Sequence, residues 1–572
     1  MRNGVVKVTR PLSQLRLPPT VQGILAARID RLSSAQKDLL QTLAVMGRES
    51  SLGLLKQVAS YSDTQLGLTL AQLRASEFIY EQPVAGDVEF VFKHALTQEV
   101  AYNSLLIDRR KVLHERAGLA LESMFAEQLE DHLDELAHHY SRSERVAKAA
   151  HYLCQAGRRA LDSSAHTEAT ALLSTGLERL RTLPESPDRD RTELTAQLAV
   201  GELTIALKGY GDPEVERAYG RAAELCRRLH DSPYLLRARA LSGLSAHYLF
   251  RSHYGKALEM GKELLALSRD TDNPSGMATT YLCFGVPSFW LGDLEVAREY
   301  LEKILAMSRI PRTAVHIRVG IPSVTRSFLA STLWYMGYPD QGLAAARRAL
   351  ATAKKQNHAF SLGQSLSHVA RFHVLRREPT IALELANEGL EYSKRNNFPS
   401  YIGESTLVRG WALAQLGRED EGIAGMRAGL AIRDAIQAYG APRFQAWLAE
   451  ALGRVGRVQE GLDLIASYLD KEHEVAVYEP EEHLVRASLY LEQDPPDILK
   501  AKRSTQVAIE MAQGFGAKSF ELRATTSFAR LLASQGKRKE ARAMLAEVYN
   551  WFTEGFDTAD LKEAKQLLNE LD

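Results

Sequence analysis

Histidines are the first residues with chemical capacity to cluster in this chain. His132, His138 and His139 fall close together, and Glu135-x-x-His138 forms a single E-x-x-H. A di-iron bundle needs two such motifs and two further glutamates, and no second one occurs. Zinc-protease chemistry needs H-E-x-x-H, and acyl transfer on a nucleophile elbow needs G-x-S-x-G. Neither string is present. Phosphate cradling needs G-x4-G-K-[ST]. The nearest string, Gly255 to Gly261-Lys262, has five intervening residues and ends in Glu263. Cys154, Cys226 and Cys283 are scattered singly, with no C-x-x-C. They read as buried structural cysteines of a reducing compartment. LAHHY (136–140) is therefore expected to be the first repeat helix, with one histidine packed and one exposed.

The elements that would position these residues are helices in series. Strand patterns nearly vanish after residue 95, and short Gly/Asp/Pro turns break up the remainder. A small residue recurs at Ala257, Ala297, Gly342, Ala382, Gly422, Gly461, Ala501 and Ala541, at intervals of 40, 45, 40, 40, 39, 40 and 40. Twelve positions earlier a second series runs through Ser245, Gly285, Ala330, Ala370, Gly410, Ala449 and Ala529. Turn glycines stand at Gly292, Gly337, Gly417, Gly456 and Gly536, and the turn glycine is lost at Ser252 and Arg377. Small residues at two facing positions let antiparallel helices cross closely, and a unit that cannot bury its own apolar face must stack on its neighbours. The expected fold is all-α: a solenoid preceded by a small domain with one β-hairpin. The layout, best seen in Tyr281-x2-Phe284-Gly285, resembles the tetratricopeptide repeat, with a unit of about 40 residues rather than 34.

The first helix of each unit lines the concave side in repeats of this kind. Counting the small residue as position eight, positions 2, 5, 9, 12 and 13 face that side. The count selects Phe250, Phe289, Trp290, Trp334, Tyr335 and Trp411, with Arg371, Arg443 and Arg454 further along. Aromatic anchors beside arginines suit capture of a protein, a peptide or a small ligand.

Ahead of the repeats, three or four helices (from Thr20, 34–46, 51–59 and 63–76) precede FIYEQP and VEFVF, which read as a hairpin. This is a winged-helix pattern. Residues 20–93 carry seven Lys/Arg and eight Asp/Glu, so the cation cluster that phosphate neutralisation requires is absent. The whole chain of 572 residues balances 71 basic against 71 acidic side chains. Nucleic acid and anionic membrane are therefore not expected partners. The longest uncharged stretch, 273–292, is interrupted by Gly, Pro, Ser and Thr, so no membrane span is expected and a cytoplasmic location is.

The wording at 17–49, at FVFKHALTQEVAYNSLL (90–106) and at RRKVLHERAG (109–118) resembles the segment after the nucleotide-binding core of STAND-type signalling ATPases. The bacterial branch fused to class III adenylate/guanylate cyclase domains is the one it resembles most. That resemblance implies a switch in which repeats sense a ligand and the winged helix closes over a nucleotide. It also implies a nucleotide-sensing role for His94, in Phe92-Lys93-His94-Ala95-Leu96; an imidazole can donate to a phosphate oxygen. ATP or ADP is implied for an upstream domain, and no cofactor is expected in this chain itself. Its expected parts are a basic tail (1–17), the winged helix (18–107), connecting helices (108–132), irregular hairpins (133–230), repeats (231–552) and a capping helix (553–572). The expected function is a non-catalytic sensor module acting on linked ATPase and cyclase units. The alternatives are a free-standing tetratricopeptide adaptor and a module of a transcription regulator.

Overall fold

A computed structural model describes residues 19–84, 87–268, 274–307, 320–356, 358–436, 442–470, 474 and 476–572. For Pro19, Thr20, Ser275, Pro442 and Arg443 it describes the backbone alone. The basic start and the hairpin-turn residues Ala85 and Gly86 lie outside the described residues. The chain forms two compact units, Met1–Ala199 and Val200–Asp572.

The first unit opens with α1 (Pro19–Asp30), α2 (Ser34–Met46), α3 (Leu52–Val58) and α4 (Asp63–Ala75). The Ser33 hydroxyl accepts from the Gln36 backbone N–H while the Gln36 side chain accepts from the Ser33 N–H, so the expected capping box starts α2. Strands β1 (Glu49–Ser51), β2 (Ile79–Val84) and β3 (Asp87–Phe92) form an antiparallel sheet in the order β1-β3-β2. The hairpin is β2–β3, with Glu81 opposite Phe90. The third strand was not expected, because Glu49-Ser50-Ser51 has no alternating apolar pattern. It forms on the free edge of β3, Ser50 opposite Phe90, and Ser51 then caps α3. Leu39, Leu43, Leu55, Leu70, Phe78 and Phe92 fill the core between helices and sheet. Helices α5 (Ala95–Asn103), α6 (Ile107–Met124), α7 (Leu133–Ser141), α8 (Val146–Asp162), α9 (His166–Arg181) and α10 (Pro187–Lys208) follow.

The second unit begins with the end of α10 and α11 (Pro213–Arg228), then repeats a hairpin of two helices. The pairs are α12 (Tyr234–Phe250) with α13 (Tyr254–Ser268), α14 (Pro274–Trp290) with α15 (Leu294–Ala306), and α16 (Ile321–Tyr335) with α17 (Pro339–Gln356). Next come α18 (Ala359–Leu375) with α19 (Pro379–Arg395), α20 (Pro399–Gln415) with α21 (Glu419–Ala435), and α22 (Pro442–Arg454) with α23 (Val458–Leu469). The series ends with α24 (Glu479–Leu491) and α25 (Ile498–Gly514), α26 (Lys518–Ser534) and α27 (Arg538–Tyr549), and α28 (Ala559–Leu571).

The two small-residue series meet at the helix crossings. A Cβ on Gly410 would lie 2.7 Å from the Gly422 carbonyl oxygen. One on Gly342 would lie 2.9 Å from that of Ala330, and one on Gly461 2.9 Å from that of Ala449. The Ser245 hydroxyl donates to the Ala257 carbonyl at 3.3 Å. Gly285 is roomier than expected: its nearest neighbour would be the Tyr300 Cβ, at 3.3 Å.

Later repeats of this unit pack back onto the first helices of earlier ones. The Val477 N–H donates to the Trp290 carbonyl at 2.9 Å, and the Ser519 hydroxyl donates to the Trp334 carbonyl. Arg523 of α26 donates to the Leu375 carbonyl at the end of α18.

Candidate ligand cavity in the repeat unit

First helices α12, α14, α16, α18 and α20 stand side by side around a cavity of about 150 Å³. Small residues on α12 (Ser242, Ser245, Ala246) leave the space, and rings bound it. Tyr210 stacks on Phe250 with centroids 4.5 Å apart, and Tyr254 stacks on Trp290 at 5.8 Å. Phe328 turns its edge to Trp290 on one side and to His368 on the other. Burial pushes the thiol of Cys283, also on the wall, up to about 12, so it stays protonated and unreactive at neutral pH.

One end of the wall is charged. The Arg371 guanidinium on α18 donates to the Glu404 carboxylate on α20 at 2.5 Å, and both side chains are buried. Arg433 of α21, also buried, lines the wall as well. The Arg371 guanidinium also lies 5.8 Å from the Trp290 ring centroid. Removing one partner of a buried pair costs about 3–5 kcal/mol, whereas an apolar replacement of both is often neutral.

Three of the expected groove residues, Phe250, Trp290 and Arg371, are on this wall. Trp411 and Arg454 line a separate, polar depression with Gln415 and Glu450. Phe289, Trp334 and Tyr335 are instead inside the core, 2%, 1% and 3% exposed. Phe520 lies edge-on to Trp334 at 5.3 Å and also meets Tyr335, and Arg523 covers the Trp334 ring, so the returning repeats bury these two, while Phe289 packs against Phe328 and Tyr335 of the next repeat. Arg443 has its side chain outside the described residues. His94 belongs to the first unit, where it is exposed at the N-cap of α5 and makes no side-chain capping bond.

Sequence reasoning missed Gln364 and Glu404, yet a signal for both existed. Each stands at position two of its repeat, on the side that the same count assigns to the groove. Selecting only aromatics and arginines passed over them. Among the described residues, no cluster of His, Cys, Asp or Glu is placed to hold a metal ion. No described helix is long and apolar enough to cross a membrane.

No protein-family model matches the chain. An uncharacterized protein of Rhizobium meliloti (strain 1021) is 25% identical over 524 residues, covering 89% of this chain and 50% of the relative. The chain thus spans half the length of the curated relative it matches. Among solved structures, a Rap protein complexed with competence and sporulation factor aligns with 70% of this chain and 99% of its own, at 11% identity and TM-score 0.41. The Cut9–Hcn1 hetero-tetramer of APC/C aligns with 80% of this chain and 93% of its own, at 11% identity and TM-score 0.43. A STAND protein with a tetratricopeptide repeat sensor from Pyrococcus horikoshii aligns with 96% of this chain and 67% of its own, at 11% identity and TM-score 0.34.

Proposed function

We propose that this chain is the sensor and interaction part of a signalling ATPase. The repeat unit takes up a ligand and biases a linked nucleotide-binding unit, and a nucleotide cyclase with it. The observation that carries the reading is the cavity among α12, α14, α16, α18 and α20, where rings surround a buried Arg371–Glu404 pair. Concave apolar sites with a few fixed polar groups are the usual form of small-ligand sites. The resemblance of 17–49, 90–106 and 109–118 to the segment behind a STAND core supports the coupling to a nucleotide, and the small three-stranded domain would be its winged helix. His94 stands exposed at the start of α5, where a phosphate oxygen could reach its ring. A ligand biases such a switch only by binding its two states unequally.

The test is nucleotide retention by the chain extended with the sequence encoded in frame before Met1. Loss of retention, or of its ligand dependence, in His94→Ala supports the reading. Identical retention and output in wild type and variant would leave His94 a structural histidine. Absence of any phosphate loop in the extension would favour a free-standing adaptor.

A further inference from the structure

The size of the cavity and its wall narrow the class of ligand. The volume, about 150 Å³, is that of an apolar cavity able to take one benzene-sized ring and little more. Trp290 and Phe328 meet edge to face, Phe328 turns an edge to His368, and Phe250 stands beside Tyr210. An aromatic guest therefore finds ring faces and edges around it.

The charged side chains of the wall are engaged within the protein. Arg371 donates to Glu404 and lies against the Trp290 ring, and Arg433 lies over the Phe444 ring at 5.2 Å. Arg371, Glu404 and Arg433 all have further partners as well. An anion would have to displace Glu404 from Arg371, and a cation would have to displace Arg371 from Glu404. Either charge would lose its water without gaining a free counter-ion from these three groups. The wall therefore selects a neutral molecule.

Gln364 supplies the polar anchor. It stands on α18, is 8% exposed and lines the cavity, and its Oε1 accepts no hydrogen bond among the described residues. A buried amide oxygen left without a donor is costly. A water could supply that donor only with several polar partners of its own. The Ser242 and Ser245 hydroxyls on the same wall already donate to the carbonyls of Ala238 and Ala257. A hydroxyl on the ring itself meets the demand within the space available.

We propose that the cavity binds a small neutral phenol: one aromatic ring among Trp290, Phe328 and Phe250, with its hydroxyl donating to the Gln364 Oε1. This inference rests on the sensor reading above and specifies its ligand class.

Titration calorimetry on the full chain at neutral pH tests it. Phenol and toluene share a shape and differ in the hydroxyl. Gln364→Leu should lower the ratio of phenol to toluene affinity roughly tenfold, the loss of one buried hydrogen bond, and leave toluene binding unchanged. Cyclohexanol, which has the hydroxyl without the ring face, should bind roughly two- to tenfold more weakly than phenol. Benzoate and benzylammonium should each bind roughly tenfold or more weakly than benzyl alcohol, a neutral molecule of similar size. Ala246→Phe, which fills the cavity, should abolish binding of phenol and toluene alike. The melting temperature of each variant shows whether it is folded, and the comparisons among probes on the wild-type chain need no variant. A phenol-to-toluene ratio untouched by Gln364→Leu would overturn the proposal, as would charged probes that bind as well as benzyl alcohol, cyclohexanol that matches phenol, or no binding of phenol at all. If phenol binds as expected but nucleotide retention by the extended chain ignores both phenol and Ala246→Phe, the sensor reading fails and the ligand class stands.

Discussion

His114, fully buried in the first unit, bonds neighbours through both ring nitrogens. Its Nε2 lies 3.0 Å from the Tyr102 hydroxyl and its Nδ1 lies 3.0 Å from the Nδ1 of His139. One proton serves the Nδ1–Nδ1 contact, and charging both rings would set two N–H groups face to face. Burial first, and nearby histidines and Arg142 second, push both His114 and His139 down to about 3. In the unfolded chain each would titrate near 6.5. Their neutrality therefore stabilises the unit fully above pH 6.5, and the contribution falls as pH drops from 6.5 toward 3. The slope is about 1.4 kcal/mol per pH unit for each histidine. Hydrogen exchange in α6 and α7 should consequently speed up from pH 6.5 to 5 beyond its intrinsic pH dependence. His114→Phe should remove about half of that slope; a slope unaltered by it would show that the pair does not titrate with unfolding. His139 packed beside exposed His138 is the arrangement their helix position implied.

At the scale of elements, the repeat register was legible because two physical demands recur along the hairpins, α24–α25 excepted. One is the close crossing. Gly410→Ala puts a Cβ 2.7 Å from backbone atoms that cannot move independently, whereas at Gly285 the tightest contact is 3.3 Å. Gly410→Ala should therefore cost about 1–3 kcal/mol, and Gly285→Ala distinctly less. Equal shifts in melting temperature would refute this ordering. The other demand is a left-handed turn residue after the first helix, met in the hairpins from α12 to α23 and again after α26. Gly292, Gly337, Gly417, Gly456 and Gly536 have φ between 77° and 92°, and Ser252 and Arg377 hold the same place at 59° and 60°. The repeats that lost the glycine thus kept the turn with a less suitable residue. Ser252→Gly relieves a cost of about 1–2 kcal/mol against a loss of about 0.4–1 kcal/mol through the unfolded chain. A small rise in melting temperature is expected, and a fall would show that the Ser252 side chain contributes more than its strain costs. What was not legible needed distant partners: β1 exists only because β3 offers it an edge. Helical period alone could not tell that Trp334 meets Phe520, 186 positions later, instead of an open groove.

Those distant contacts raise the question of what holds the repeats of the second unit together across long stretches of chain. Apolar packing, as between Trp334 and Phe520, supplies attraction, and a polar cluster supplies register. Asp560 sits in the first turn of α28, where the helix dipole favours an anion. Its Oδ1 accepts from Arg523 of α26 at 2.8 Å and from Arg377, after α18, at 3.3 Å. Arg377 reaches Glu563 as well, at 2.8 Å. The two contacts to Asp560 are not equivalent. Arg523 and Asp560 are 13% and 7% exposed, whereas Arg377 is 42% exposed and its pairing is screened by water. Asp560→Asn keeps the shape but leaves the Arg523 guanidinium with the more distant Glu481 carboxylate, at 4.0 Å, as its anion, at a cost of about 1.5–3 kcal/mol. Arg377→Ala should cost less than about 1 kcal/mol. If this cluster fastens α28 to α26 and α18, amide exchange in α26, α27 and α28 should accelerate roughly 10- to 100-fold in Asp560→Asn, from the tenfold per 1.4 kcal/mol conversion. Helices α12 to α15, which touch none of these groups, should keep their protection. An effect of Arg377→Ala as large as that of Asp560→Asn would place the register in the exposed contact instead. Acceleration spread evenly over the whole unit would show that the repeats unfold as one body and that no local fastening exists.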